Sequence, residues 1–285
     1  MPQTPQIAVI ASGGMGAAVG ARLVERGVRV VTSLKGRSQA SAERAKAAGM
    51  TPVEDAEIAQ ADFVLSIVPP KEALPLAERL APSLRATNKK PLYVDCNAVS
   101  PETVEKIAAM IAMTDCPFAD GGIIGGPPRA GYDGPVFYVS GPEAKHLNAI
   151  NKYGLVFRPM DGPIGAASAL KMCYGGITKG LTAIGSAMAL AAHRAGIADT
   201  LHAELSASQP QLMARLTGSV PDMFSKAYRW VAEMEEIGDF VGDRAEREMF
   251  QAIAELYERL AVDTKNSREE IEALAKFFAR PPKRS

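Results

Sequence analysis

Three cysteines in 285 residues, Cys96, Cys116 and Cys173, are too few and too irregularly spaced for a C-x-x-C pair or a disulfide framework. They are expected to be reduced and mostly buried small hydrophobes. Net charge is also missing, because 32 basic residues cancel 32 acidic ones. Bulk charge therefore gives no footprint for nucleic acid. No run of about 18 apolar residues occurs, so no membrane span is expected, and Met1-Pro2-Gln3-Thr4-Pro5 lacks the charged and apolar regions of a secretory signal. These absences predict a cytoplasmic protein. The three histidines, His146, His193 and His202, have no metal-ligand spacing, and no metal is expected. A further absence is local: no acidic residue lies between Gly27 and Ser41.

What remains is the composition of a globular protein, 47% hydrophobic and 22% charged, in a chain long enough for one large or two modest domains. From residue 7 to about 160, short β-branched runs alternate with Ala-, Glu- and Arg-rich segments, the pattern of β-α-β units on a parallel sheet. The strand candidates are Ile7–Ile10, Val28–Thr32, Phe63–Val68, Leu92–Asp95 and Val136–Ser140, with Cys116–Ala119 weaker. Strand signals stop after about residue 163. Gly165 to Ala195 then reads as one helix rich in Ala, Gly and Ser, roughly 45 Å long at 1.5 Å rise, whose small side chains allow close neighbours. More helical segments follow. The expected organisation is α/β, with a doubly wound parallel sheet of Rossmann type over residues 1–163 and an all-α domain over 164–285.

The first strand candidate runs into Ala11-Ser12-Gly13-Gly14-Met15-Gly16. A pyrophosphate-binding loop needs a tight turn off the strand, bare backbone facing the phosphates, and a helix N-terminus behind it. Gly13 and Gly16 occupy the second and third positions of G-x-G-x-x-G, Gly14 adds freedom, and Ala11 replaces the first glycine. A methyl group is tolerable there if φ stays negative. Strand before, helix after and a β-α-β series beyond supply the context such a motif requires. Ser12, Gly13, Gly14, Met15 and Gly16 are therefore candidate dinucleotide contacts.

NAD sites place an acidic residue about 20 positions further on, against the ribose 2′-OH. Here that stretch offers the hydroxyls of Thr32, Ser33 and Ser38 and the charges of Lys35 and Arg37. A guanidinium at Arg37 can grip a 2′-phosphate with forked, charge-assisted bonds. NADP is thus the expected cofactor, with NAD possible.

Four later stretches share a theme. Asp62-to-Pro70 ends a strand at Val68-Pro69-Pro70, Asp95-to-Pro101 ends the next at Asn97, and Asp120-to-Gly131 is glycine-rich. Loops of this kind converge beyond the carboxyl ends of a parallel sheet, where ligands collect. The fourth, Gly165-to-Gly176, carries Lys171 within the small-residue helix. Together these resemble the β-hydroxyacid dehydrogenase family, relatives of 3-hydroxyisobutyrate and 6-phosphogluconate dehydrogenases, over nearly the whole chain. G-x-G-x-M-G matches residues 11–16 with Ala11 first, D-x-x-T-x-x-P matches Asp95 to Pro101 with Ala98 for threonine, V-S-G-G matches Ile123-Ile124-Gly125-Gly126, and G-x-G-x-x-x-K matches Gly165 to Lys171 with Ala167 as the second glycine. Residues 208–210, 220–223 and 226–237 look like a less characterised subgroup whose C-terminal domain lacks an assigned role.

The resemblance implies a nicotinamide-dependent oxidoreductase and a substrate pocket at Asn97, Ile124, Gly125, Gly126, Tyr174, Gly175 and Thr178. It also implies a homodimer sharing the long helix. The departures cluster in that pocket. Ile124 replaces a serine that helps hold a carboxylate, Tyr174 and Gly175 stand where an asparagine is usual, and no clear K-D-L equivalent lies near Glu233-Met234. Substrate recognition is therefore expected to be rebuilt around a small molecule.

Removing a hydride from an alcohol requires a group that takes the hydroxyl proton. Lys171 suits this role because its neighbours Leu170, Met172 and Cys173 are apolar, and partial burial lowers an amine's pKa. Tyr174, Gly175 and Thr178 share its helix face. Lys179 reads as structural or electrostatic, the acidic string Glu233, Glu235 and Glu236 as a solvated helix face, and Asp120 as bonding loop backbone. The leading expectation is interconversion of a β-hydroxy acid or related alcohol with its carbonyl form. The alternatives are an imine or ketone reductase and an NADP-sensing binding protein without catalysis.

Overall fold

The structure is a computed structural model that describes residues 4–11 and 13–279. Ile7, Ala8, Val9 and Ile10 are each completely inaccessible to solvent, as expected of a strand covered on both faces in a parallel sheet. This strand, β1 (Gln6–Ala11), lies inside an eight-stranded sheet with β2 (Arg29–Thr32), β3 (Thr51–Pro52), β4 (Phe63–Ile67), β5 (Leu92–Asp95), β6 (Phe118–Ile124), β7 (Val136–Ser140) and β8 (Val156–Pro159). The order is β3-β2-β1-β4-β5-β6-β7-β8. Every pairing is parallel except β6 with β7.

Each face of the sheet has its own core. On one, Val19 and Leu23 of α1 (Gly14–Glu25) and Ala45 of α2 (Gln39–Ala47) cover Val9, Leu65 and Val94. On the other, Ile58 of α3 (Asp55–Ile58), Leu76 and Leu80 of α4 (Pro70–Ala86) and Val104 and Ile107 of α5 (Pro101–Ala112) cover Ala8, Val64 and Tyr93. This is the doubly wound arrangement that the alternating pattern predicts.

Two strands escape the sequence reading for physical reasons. β3 has two residues, both exposed, and β8 ends in Arg158 and Pro159, so neither presents an apolar alternation. The reading of β6 is corrected more deeply. The segment expected as a strand to Ala119 and a glycine-rich loop from Asp120 is strand through Ile124. A Cβ on Gly121 would lie 2.9 Å from the Asp95 carbonyl oxygen, and one on Gly122 would lie 2.7 Å from that of Ala167. These glycines make space for neighbours rather than a turn.

The chain divides into two compact units, Met1–Met172 and Cys173–Ser285. α6 (Ala166–Arg194) crosses the division. The second unit contains the rest of α6 with α7 (Ala198–Ser208), α8 (Pro210–Phe224), α9 (Ala227–Val241), α10 (Ala245–Lys265) and α11 (Glu269–Phe277). The glycines of α6 permit tight packing there: Leu216 Cδ2 sits 2.7 Å from a Cβ position on Gly185, and Phe250 Cζ 3.1 Å from one on Gly176. Cys96 and Cys116 are buried and Cys173 is exposed, in keeping with cysteines expected to be mostly buried. Among the described residues no helix is long and apolar enough to cross a membrane.

Ala11 continues β1, and its methyl carbon lies 1.9 Å from where a Cβ on Gly16 would stand. Only one of the two positions can carry a side chain. Gly16→Ala is expected to cost roughly 1–3 kcal/mol by overpacking, and adding Ala11→Gly should recover most of it. Unfolding of the parent, both single variants and the double variant measures this coupling; purely additive effects would contradict the shared space.

Candidate active site

The start of α1 presents bare backbone to open space. Neither Gly13 nor Gly14 has a positive φ, and a Cβ on either would meet nothing within 4 Å. Neither torsion nor protein packing therefore requires glycine, and the bare surface faces open space. α1 has no acidic residue in its first turn, which leaves the positive end of its dipole uncompensated. A pyrophosphate fits such a cradle. Gly16 packs α1 against β1, and Met15 packs on the adjacent core. Ser12 lies outside the described residues.

At the end of β2 the hydroxyls have other work than the one expected of them. Thr32 is buried and donates to the Val9 carbonyl at 2.8 Å. Ser33 donates to Asp55 at 3.3 Å and accepts from Arg79 at 3.0 Å. Ser38 caps α2 by accepting from the Ser41 N–H at 3.3 Å. Arg37 is ion-paired with Glu72, while Lys35 is exposed. Asp55 and Glu72 lie far from that loop in sequence, so no local pattern points to them. Both sit in the first turns of the next helices on this side of the sheet, α3 and α4, and topology returns those helix starts to the same edge.

A row of polar residues crosses the middle of the sheet. Ser66 pairs in register with Asp95, Asp95 with Asp120, and Asp120 with Ser140; all four are fully buried. Asn97 closes one end of the row. Its Nδ2 donates to Ser66 Oγ at 2.9 Å and Asp95 Oδ2 at 2.7 Å, its own N–H donates to Asp95 Oδ1 at 3.0 Å, and its Oδ1 accepts from the Val68 N–H at 2.6 Å. Asn97 is 2% exposed, so the side chain expected to meet substrate or nicotinamide instead ties the ends of β4 and β5 together. That bond also occupies the Val68 N–H. Pro69 and Pro70 follow at the start of α4, with Pro69 exposed.

The other end of the row anchors α6. Asp120 Oδ2 accepts from the N–H groups of Gly165 and Ser168 and from Ser140 Oγ, each at 3.0 Å, and Oδ1 accepts from Ser168 Oγ at 2.7 Å. Ser140 Oγ accepts the Ala167 N–H at 3.0 Å. The expectation that Asp120 only bonds loop backbone is thereby corrected. It is a buried strand residue that caps the helix carrying Lys171, whose Nζ donates to the Ile123 carbonyl at 2.7 Å.

Beyond Ile123 the chain leaves the sheet. Ile124 ends β6, Gly125 has φ +125°, and Gly126 is exposed, with open space where a side chain would be. The Tyr132 hydroxyl lies 2.8 Å from a Cβ position on Gly125. Arg22 of α1 holds the following loop by donating to the carbonyls of Asp133 at 3.2 Å, Arg129 at 3.3 Å and Tyr132 at 3.1 Å, and it also reaches the Gly154 carbonyl, before β8, at 3.2 Å. No periodicity or motif pointed to Tyr132 or Arg22.

Further along α6, Tyr174 is exposed, and the bare side of Gly175 meets Ile237 at 3.5 Å. The Thr178 hydroxyl donates to the Tyr174 carbonyl at 2.8 Å. Lys179 and Glu233 form a mostly buried ion pair, and the Lys179 amine lies 5.3 Å from the centre of the Trp230 ring. Glu233 is thus a packing partner and not part of a solvated face.

Residues 6–156 match the sequence model described as the NAD binding domain of 6-phosphogluconate dehydrogenase, and residues 192–260 match a domain of unknown function, DUF1932. An uncharacterised 28.5 kDa protein of Methanothermus fervidus, in the 7S RNA 5′ region, is 31% identical over 217 residues, 75% of this chain and 82% of that protein. A conserved protein of unknown function, whose solved structure is described as similar to 3-hydroxyacid dehydrogenases, is 29% identical with a TM-score of 0.69, over 93% of this chain and 98% of its own. A Mycobacterium tuberculosis 3-hydroxyisobutyrate dehydrogenase solved with L-serine has a TM-score of 0.70 at 18% identity, over 95% of this chain and 99% of its own, a likeness of fold.

Burial, reinforced by the Asp120 carboxylate and opposed by the Asn97 donors, pushes the Asp95 carboxyl up to about 7. An unfolded chain releases that proton near pH ~3.9. Between these values the folded protein binds the extra proton, so this group's contribution to stability falls as pH rises from about 4 to about 7 and is constant above. Asp95→Asn removes the effect. Its thermal midpoint relative to the parent should rise across that window and level off beyond it; a difference independent of pH would refute the assignment.

Proposed function

Because the chain belongs to the family of the NAD binding domain of 6-phosphogluconate dehydrogenase and is an NAD(P)-dependent oxidoreductase, we propose that it prefers NADP and interconverts a β-hydroxy acid, or a related alcohol, with its carbonyl form. Lys171 serves as general acid and base. The observation that carries this reading is the Lys171 amine, held at the end of β6 by the Ile123 carbonyl and followed at once by the Ile124-Gly125-Gly126 loop.

A nicotinamide dinucleotide, when bound, supplies a hydride acceptor for oxidation and a donor for reduction. Gly13, Gly14, Gly16 and the start of α1 would hold its pyrophosphate, and Lys35 and Arg37 its 2′-phosphate. Glu72 keeps the Arg37 guanidinium partly buried and oriented, and a phosphate offers it a stronger forked partner. Lys171 takes the proton from the substrate hydroxyl oxygen during oxidation and returns it to the carbonyl oxygen during reduction. Backbone N–H groups at Gly125 and Gly126 are the donors available for a substrate oxygen where Ile124 has none.

The protein is also proposed to act as a homodimer through α6. Tyr174, Ile177, Leu181, Ile184 and Met188 follow 3-4-3-4 spacing, and Ile177 is 72% exposed. A second copy would bury such a seam.

NADPH in excess should raise the thermal midpoint clearly, since a ligand at 100 times its Kd contributes about 2.7 kcal/mol, and NADH should raise it much less. Lys171→Met should keep that shift while losing turnover by about 10²–10⁴-fold. No shift with either cofactor, or a variant as active as the parent, would defeat the reading. For the dimer, Ile177→Asp combined with Ile184→Asp should sediment as a monomer at concentrations where the parent is dimeric; a monomeric parent would end that proposal.

A further inference from the structure

We propose that Asp120 is a positioning residue for Lys171: through the first turn of α6 it fixes where the amine stands, and through its own negative charge it raises the amine's proton affinity. The proposal rests on the oxidoreductase reading of Lys171.

The placement follows from strand and helix geometry. Asp120 and Gly122 are two residues apart on β6 and share one face of the sheet. Asp120 grips Ser168 by both its N–H and its hydroxyl. Lys171 is three residues further on, beside Ser168 on the helix surface. Gly122 meets that same stretch, with a Cβ position 3.1 Å from Lys171 Cβ and 2.7 Å from the Ala167 oxygen. Carboxylate, first helical turn and lysine stem are thus stacked along one strand, and the stem is directed so that its amine reaches the Ile123 carbonyl. A shift of α6 along β6 would break these contacts together.

Electrostatics adds the second part. Four donors converge on a side chain with no solvent access, so its field is not screened by salt as a surface charge would be. Other charged groups brought to the start of α6 within this unit include Asp95, beside Asp120 on β5, Glu105 of α5, with Oε1 3.5 Å from a Cβ position on Gly165, and the exposed Asp161, five residues before the helix. Glu105 is exposed, so water and ions weaken its effect. Asp95 can be assessed separately through Asp95→Asn.

The test follows the titration of Lys171 directly, in protein labelled with carbon-13 at lysine Cε, using Lys171→Met to assign the resonance. Asp120→Asn should lower the Lys171 midpoint by about one pH unit. It should also move the alkaline-rising limb of kcat for alcohol oxidation to lower pH by the same amount, with little change in KM for the dinucleotide. Ser140→Ala with Ser168→Ala removes two hydroxyl donors but keeps the charge. It should reduce kcat while leaving the Lys171 midpoint at or above that of the parent, a contrast that loss of packing alone does not produce. An unchanged midpoint in Asp120→Asn overturns the proposal. If that variant does not fold, a lowered midpoint in the double serine variant overturns it instead. A parent with no turnover whose Lys171 still responds to Asp120→Asn would defeat the oxidoreductase reading, and the positioning role with it, while leaving the charge coupling measured.

Discussion

The organisation of the first unit depends on one buried carboxylate meeting the beginning of one helix. The N–H groups of Gly165 and Ser168 reach Asp120, that of Ala167 reaches Ser140, and those of Ala166 and Ala169 are met by the carbonyls of Pro163 and Gly165. A 29-residue helix thereby begins at the sheet interior with the donors of its first turn satisfied. A negative charge there also complements the helix dipole. Without it, the buried end of α6 would carry desolvated N–H groups.

The same row couples regions far apart in sequence. Asn97 joins Val68 to Ser66 and Asp95, and Asp120 joins Ser140 to Ser168. Two carboxyl groups side by side on β5 and β6 resist ionising together, and burial makes the cost larger. The chain gives Asp120 the donors of α6 and lets Asp95 hold its proton up to about pH 7. The loop ends on the dinucleotide side and the lysine helix therefore meet through one buried polar layer within an otherwise apolar sheet.

Much of this was legible because it follows periodicity. β1, β4, β5 and β7 are short apolar runs, and α6 was found within a residue at each end because nothing in Gly165 to Ala195 breaks it. Gly13, Gly14 and Lys171 stand out as candidates by residue type in context. Partners supplied by other strands were not. Thr32, Ser33, Ser38 and Asn97 are polar residues in loops or at strand ends, and sequence gives no sign that Val9, Asp55, Ser41 or Ser66 will claim them first. Asp120 was misjudged because the glycines after it resemble turn formers, whereas they are demanded by the Asp95 and Ala167 carbonyls. Tyr132 and Arg22 act through a loop with no repeating pattern at all.

The contact between Ala11 and Gly16 bears on how such chains diverge. The strand-to-helix junction tolerates one methyl group, and this lineage carries it at the first of the two positions. The order of substitution is then constrained: alanine at 16 is accommodated once position 11 is glycine, and the chain with both is the overpacked one. A glycine fingerprint is better read as a fixed volume divided between two sites, and chains that look degenerate by letter can be intact by that measure.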